Sequence, residues 1–271
     1  IGDDMVGRHI LDDFEKYNVN TEAIQVESGA NSGVATILVK HSTGERAVFF
    51  ERSTATEPVF LETHKQLIES AYILHINGRH RQLMRSAMVV AKEVGTIISL
   101  DGGAQRYDED MKPITEGSHI VIVARDYAEK YTGTTNLEDA CRIIHERGAL
   151  IAGVTDGANG SYFVWTDGTS YRCEPFSQAT VVDTTGAGDS FHGAFLAMLT
   201  KTLCKIADGT NTSTMNETSQ SLNAIDLLHS CAHEDLEKAA TFASAVAALN
   251  TQGIGGRSPL PSLEDIKALI G

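Results

Sequence analysis

Four short apolar runs, spaced among segments of helical periodicity, constrain the fold of this chain more than any other feature. They are AYILHI at 71–76, TIISLD at 96–101, HIVIVA at 119–124 and ALIAGV at 149–154. Each is rich in β-branched or long aliphatic residues and apolar at successive positions, the pattern of a strand covered on both faces. Around them, apolar residues recur at three- and four-residue spacing over 62–70, 82–94, 137–147, 188–200, 235–250 and 262–269, which predicts helices. Strands alternating with helices select a mostly parallel sheet with right-handed crossovers, covered by helices on both faces in three α/β/α layers. With 271 residues the chain is long enough to bury such a core. Ligands of open sheets of this kind bind at the carboxyl ends of the strands.

The first part of the chain has a different rhythm. Ile10, Leu11, Phe14 and Tyr17 share one face of a predicted helix. Residues 33–39 and 46–50 read as two strands joined by a turn over His41–Glu45, a β-hairpin. The expected division is therefore a small β lid at 20–52 and an α/β core formed by 1–19 and 53–271. The edges of exposed lid strands offer pairing to a second copy, which is compatible with a homodimer through the lid. Ser161–Trp165 and Thr169–Cys173 flank Thr166-Asp167-Gly168 and predict a second hairpin. The stretch KIADGTNTSTMNETSQS, 205–221, has little to bury and reads as a surface insertion.

Charge and cysteine content narrow the partners. Twenty-two Lys and Arg stand against 36 Asp and Glu, a formal net charge of −14, which repels nucleic acid and anionic membrane but leaves small substrates open. Cys141, Cys173, Cys204 and Cys231 form no CxxC pair, which argues against a zinc site or a disulfide framework and for reduced thiols. No apolar run is long enough to span a bilayer and no signal-peptide pattern is present, so a cytoplasmic protein is expected.

Chemistry concentrates in VVDTTGAGDSFHGAF, residues 181–195. A strand ending near Val182 and a helix beginning near Gly188 would gather several free backbone N–H groups at one point. The helix dipole adds partial positive charge there, and the glycines let an anion approach without a Cβ in the way. Asp189 stands beside that point. A carboxylate there repels the anion it adjoins unless it works in the same reaction, taking a proton from a hydroxyl that attacks phosphorus. The alternative is a carboxylate that caps the helix.

This run resembles the C-terminal signature of the ribokinase-like, PfkB-type carbohydrate kinases, and the resemblance extends over essentially the whole chain. Gly2-Asp3-Asp4 with Gly7 resembles the turn that ends the family's early sheet, 24–52 its β lid, and Val154–Gly160 its nucleotide-contacting loop. Ala243–Gly253 resembles the late helix and turn beside the adenine. Ile76-Asn77-Gly78-Arg79 and Val121–Gly133 look most like the ketohexokinase branch. The resemblance implies a ribokinase-like fold and transfer of the ATP γ-phosphate to a sugar hydroxyl, on a ketohexose, a pentose or a sugar acid. It implies Asp189 as general base and the N–H groups of Gly186, Ala187 and Gly188 as the anion hole. Thr155, Gly157 and Gly160 would border the nucleotide. Asp183 would sit near Mg2+ or a monovalent cation such as K+, where Thr185 supplies a carbonyl. Arg79 would reach a phosphate; a solvated surface Arg is the alternative. Ala243 and Ala247, with Ala245 and Ala248, make a slim helix face on which a purine lies or against which the core packs.

The chain departs from the family in two places. Many members carry Asn and Glu at the start of the helix near 124–127, whereas here the residues are Ala124-Arg125-Asp126-Tyr127; ketohexokinase-like members also depart there, which argues for a branch rather than against activity. The family's first signature, a Gly-Gly-Asn-type segment with sugar-binding residues, would precede Ile1. A fragment, or a chain that has lost most of its sugar site, is therefore expected, and a catalytically inactive ligand-binding homologue stays open beside a nucleoside or vitamin kinase. Asp101 and Arg106, after a strand, are candidates for substrate or phosphate contact, with a loop turn and a solvated Arg as the alternative. His192, at a place where the resembled branch often has Asn, and Trp165 read as packing residues, with substrate contact and base stacking as their respective alternatives, and His75 and His80 show no metal-ligand spacing.

Overall fold

The structure is a computed structural model and describes residues 1–39, 46–177, 181–213 and 223–271; the side chains of residues 46 and 210–213 are outside that description, as is the expected turn over His41–Glu45. The chain forms two compact units: Ile1–Leu67 with His80–Ala87, and Ile68–Arg79 with Met88–Gly271.

The first unit carries helix α1 (Met5–Lys16) and an antiparallel pair, β1 (Val34–Val39) and β2 (Arg46–Glu51), in the register Ile37↔Val48. The chain start is pinned by its own polar residues. Asp4 caps α1 by accepting the Gly7 N–H at 2.8 Å and also accepts the Ser32 N–H and hydroxyl, while Asp3 accepts from Ser28 and Gly29. These hydrogen bonds hold both carboxyls below their usual range, although both lie in reach of water. Helix α2 (Glu62–Ser70) begins in this unit, and α3 (Arg81–Val94) is divided between the two.

The second unit is built on a six-stranded sheet in the order β3-β4-β5-β6-β7-β8. The strands are β3 (Ile73–Ile76), β4 (Ile97–Gly102), β5 (Ile120–Ala124), β6 (Ile151–Thr155), β7 (Ser161–Val164) and β8 (Ser170–Cys173). β3 to β6 run parallel, and β7 and β8 return antiparallel. Each of the four apolar runs is a parallel strand. Every residue of β4 is buried, as are all but the last of β5 and of β6, because helices cover both faces. The turn expected at Thr166-Asp167-Gly168 joins β7 to β8, with Gly168 at φ +85°.

The helices of this unit are α4 (Lys112–Glu116), α5 (Arg125–Thr132), α6 (Leu137–Glu146), α7 (Ala187–Ser213), α8 (Ala224–His229), α9 (His233–Asn250) and α10 (Leu263–Ile270). Local chemistry sets their ends. Asn136 caps α6, and Asn223 with Asp226 and Ser262 with Asp265 make capping boxes at α8 and α10. The core centres on stacked rings: Phe163 lies 4.9 Å from Trp165 and 5.9 Å from Phe195, centroid to centroid. Trp165 is wholly buried there, in a packing role.

One expectation is corrected. Residues 205–213 are not a surface insertion but the last turns of α7. Phe191, Phe195, Leu199 and Leu203 form a stripe at four-residue spacing, and Ile206 and Ala207 extend it onto the same core. Burial of that stripe holds the helix together through residues of modest helix propensity. The rest of the expected insertion, 214–221, lies outside the described residues.

Candidate active site

The carboxyl ends of β4, β5 and β6 are level with one another, since Gly102 pairs with Val123 and Ala124 with Thr155. Asp101, next to last in β4, lies with Oδ1 3.3 Å from His192 Nε2, which brings the beginning of α7 to this end of the sheet.

The approach to α7 is fixed by backbone bonds. No strand forms at 181–182; instead the N–H groups of Val182 and Asp183 both donate to the Thr251 carbonyl, at 2.8 and 3.2 Å. Asp183 is buried and accepts from Thr185 N at 2.9 Å and Gly255 N at 3.0 Å. Its carboxylate thus ties the turn before α7 to the turn after α9. Gly186 lies against that second turn at φ +75°, where a Cβ would stand 2.4 Å from the Gly256 carbonyl oxygen, so the position tolerates only glycine. Gly188 differs: a Cβ there would meet nothing within 4 Å. Gly188 and Asp189 are exposed in the first turn of α7, and Ala187 is partly so. N–H groups of a first helical turn have no partner within the helix, and such a place attracts anions.

The Thr185 carbonyl accepts from Asn250 Nδ2 at 3.2 Å. Thr185 Oγ1 and Asn250 Oδ1 are buried with no hydrogen-bond partner among the described residues. No group of three or more His, Cys, Asp and Glu suited to a metal ion occurs among the described residues.

Thr155 ends β6 and donates weakly to the Val123 carbonyl, at 3.5 Å. Gly157, at φ +53°, faces open space, whereas Gly160, at φ +83°, is hemmed in by the Cys173 carbonyl. Arg125 braces this turn by donating to Asp156 and Glu129, each at 2.8 Å. Asp126 accepts from Gln105 N at 2.6 Å and holds the loop after β4. Tyr127 is wholly buried, with its hydroxyl 2.6 Å from Thr115 Oγ1, and burial pushes it up to about 12. Arg79 is exposed after β3, with its N–H on the Asn77 side chain. Ala243 is wholly buried in the core, and Ala247 packs partly buried against it.

A constellation the sequence left scattered lies beside Asp189. His192 and Asp101 pair, Arg106 Nη1 lies 3.5 Å from the second Asp101 oxygen, and the His75 ring centroid lies 5.5 Å from that of His192. Burial works to raise Asp101, but the hydrogen bond and charge of His192, with Arg106, keep it below its usual value. His75 has one side open to solvent and protein on the others; desolvation, then His192, pushes it down to about 4, so it is neutral at physiological pH. The signal in the sequence was the three-residue step from Asp189 to His192, which sets both on one helix face.

Solved structures with this architecture are ribokinase-like. A ribokinase from Giardia lamblia superposes with a TM-score of 0.79 at 19% identity, covering 99% of this chain and 81% of that one. A fructokinase with bound ATP from Xylella fastidiosa gives 0.77 at 21% identity, over 100% of this chain and 83% of that one. Probable fructokinase-5 of Arabidopsis thaliana is 28% identical, over 99% of this chain and 80% of its own length. Fructokinase-2 of Solanum lycopersicum is 29% identical over 73% of this chain and 65% of its own length. The family model for the pfkB family carbohydrate kinases matches residues 1–263. The chain belongs to that family: it is a carbohydrate kinase, a phosphotransferase with an alcohol group as acceptor. No helix among the described residues is long and apolar enough to cross a membrane.

Proposed function

We propose that this chain transfers the γ-phosphate of ATP to a hydroxyl of a ketohexose, with Asp189 as general base. The observation that carries the reading is the exposed carboxylate of Asp189 in the first turn of α7, beside Gly188 and the open space over it. Asp189 takes the proton of the acceptor hydroxyl as that oxygen bonds to phosphorus. The N–H groups of Gly186, Ala187 and Gly188 hold the charge on the transferring phosphoryl group. Thr155 and Gly157 border the nucleotide, where an unencumbered backbone lets phosphate or ribose approach. Gly160 shapes the turn, Arg79 serves the phosphates, and Ala247 lies at the adenine side with Ala243 packed behind it. Fructokinases among the relatives favour a ketohexose over a pentose, a sugar acid or a nucleoside.

Mg2+, when bound, would neutralise charge on the phosphates, whose oxygens are ligands of the kind it takes. Asp183 would bear on it only through the turn it braces. Thr185 Oγ1 and Asn250 Oδ1, which have no hydrogen-bond partner among the described residues, are oxygens of the kind a K+ ion would take, beside the Thr185 carbonyl. Residues 20–52 are proposed as the lid, with 1–19 and 53–271 as the kinase core. The hairpin leaves Leu38, Val48, Phe49 and Phe50 more than half exposed, which favours a second copy as partner there. Phe49→Asp is expected to weaken self-association at least ~10-fold in sedimentation velocity, since a buried charge opposes docking; an unchanged profile removes the dimer.

The test is ADP release from MgATP across ketoses, aldoses, sugar acids and nucleosides. Release that requires a ketohexose supports the reading. Release with a nucleoside alone reassigns the acceptor, and silence with ATP still bound identifies a ligand-binding homologue.

A further inference from the structure

Asp189 stands in the first turn of α7, ahead of the apolar residues that anchor the helix. A Cβ at Gly188 or Gly193 would touch nothing within 4 Å, so these positions face open space. The apolar hold comes from Phe191 and Phe195, whose rings stack on Phe163 at 6.4 and 5.9 Å. Ala194, Leu196 and Met198 add apolar contacts farther along α7, but the first turn, which carries Asp189, lies ahead of all of these, where a small local rotation is left to be fixed. His192 opposes that rotation. Its side chain is 7% exposed, and Nε2 reaches Asp101 Oδ1 at 3.3 Å. Asp101 is braced in turn: Arg106 Nη1 lies 3.5 Å from its other oxygen and donates to the Asn77 carbonyl at 3.3 Å. The tie therefore runs from the first turns of α7 to the end of β4 and the loop after β3.

A second observation separates this tie from ordinary packing. With the Nε2 proton given to Asp101, His192 Nδ1 is a buried acceptor with no partner among the described residues. Burial of an unmet acceptor is unfavourable, and an apolar side chain would fill the space without it. What His192 provides in exchange is the reach of Nε2.

We propose that the Asp101–His192 pair is a positioning element that fixes the rotation of the first turns of α7 and thereby holds Asp189 in line with the acceptor hydroxyl. The proposal rests on the reading of Asp189 as the general base. It makes a stereochemical demand. The nitrogen that meets Asp101 is three bonds from Cβ, a distance that a Gln side chain reproduces and an Asn side chain does not.

The experiment compares His192→Gln, His192→Asn and Asp189→Asn in the full chain, by steady-state kinetics with ATP and acceptor varied separately, beside thermal melts. His192→Asn should lower kcat about 10- to 100-fold with both KM values held within about 2-fold, and His192→Gln should keep kcat within about 3-fold, as expected for a displaced base. Equal kcat in the Gln and Asn variants, a loss of rate that follows loss of Tm, or an effect confined to the acceptor KM overturns the proposal. Asp189→Asn separates the two readings. If it abolishes turnover while the His192 variants are alike, the positioning role alone fails; if it leaves turnover intact, the base assignment fails and the positioning role with it.

Discussion

Asp189→Asn is expected to lower kcat by about 10²- to 10⁴-fold, the span typical of a lost general base. The substitution is nearly isosteric and sits at an exposed position, so the fold should be undisturbed. The amide keeps the shape and loses the proton affinity. The backbone N–H groups around it remain, so ATP affinity by calorimetry should change little; removing a negative charge beside an anion site should, if anything, tighten it. A carboxylate that serves only the helix start predicts the opposite pattern: its loss from the first turn of α7 removes a charge–dipole interaction of about 0.3–1 kcal/mol and leaves turnover intact. Paired kcat and ATP-affinity measurements on one variant thus separate the two roles, and unchanged turnover excludes Asp189 as the base.

What the sequence made legible was local. The strands announced themselves because β4, β5 and β6 are buried on both faces and so carry unbroken apolar runs. The Gly186–Asp189 segment was legible because its residues are contiguous. The full length of α7 was not, since Thr, Asn and Ser dominate its last turns and the deciding residues, Ile206 and Ala207, act through tertiary burial. Helix α8 was missed although its Asn223-to-Asp226 capping box stands in the sequence, because it offers barely two turns of periodicity. The Asp101–His192 pair escaped for a different reason. Its members lie on β4 and α7, distant in sequence, and only the fold closes the 3.3 Å between them. The departure at Tyr127 likewise acquires a physical account: the ring fills the core and its hydroxyl is spent on Thr115, so it has none to offer at the sheet end.

Two glycines on either side of Ala187 should respond to the same substitution in opposite ways. Gly186→Ala forces a side chain into a left-handed conformation and sets a Cβ 2.4 Å from the Gly256 carbonyl oxygen. The conformational term is about 1–2 kcal/mol and overpacking adds about 1–3, so a loss of about 2–5 kcal/mol is expected in denaturant unfolding. Relief of the clash must move the turn that Asp183 and Asn250 hold, and turnover should fall by about 100-fold with the donor groups displaced. Gly188→Ala meets no atom within 4 Å and lies in the helix proper, where Ala is favoured by up to about 1 kcal/mol. That variant should be as stable as the parent or more so. Yet the new methyl enters open space at the first turn of α7, and if the proposed anion hole lies there kcat should fall at least about 10-fold as the transferring phosphoryl group is pushed off its donors. Stability lost at 186 and kept at 188, with rate lost at both, is the signature of one glycine that shapes the chain and one that admits the substrate. A Gly188→Ala enzyme that is both stable and fully active would mean that no anion approaches the helix at that point.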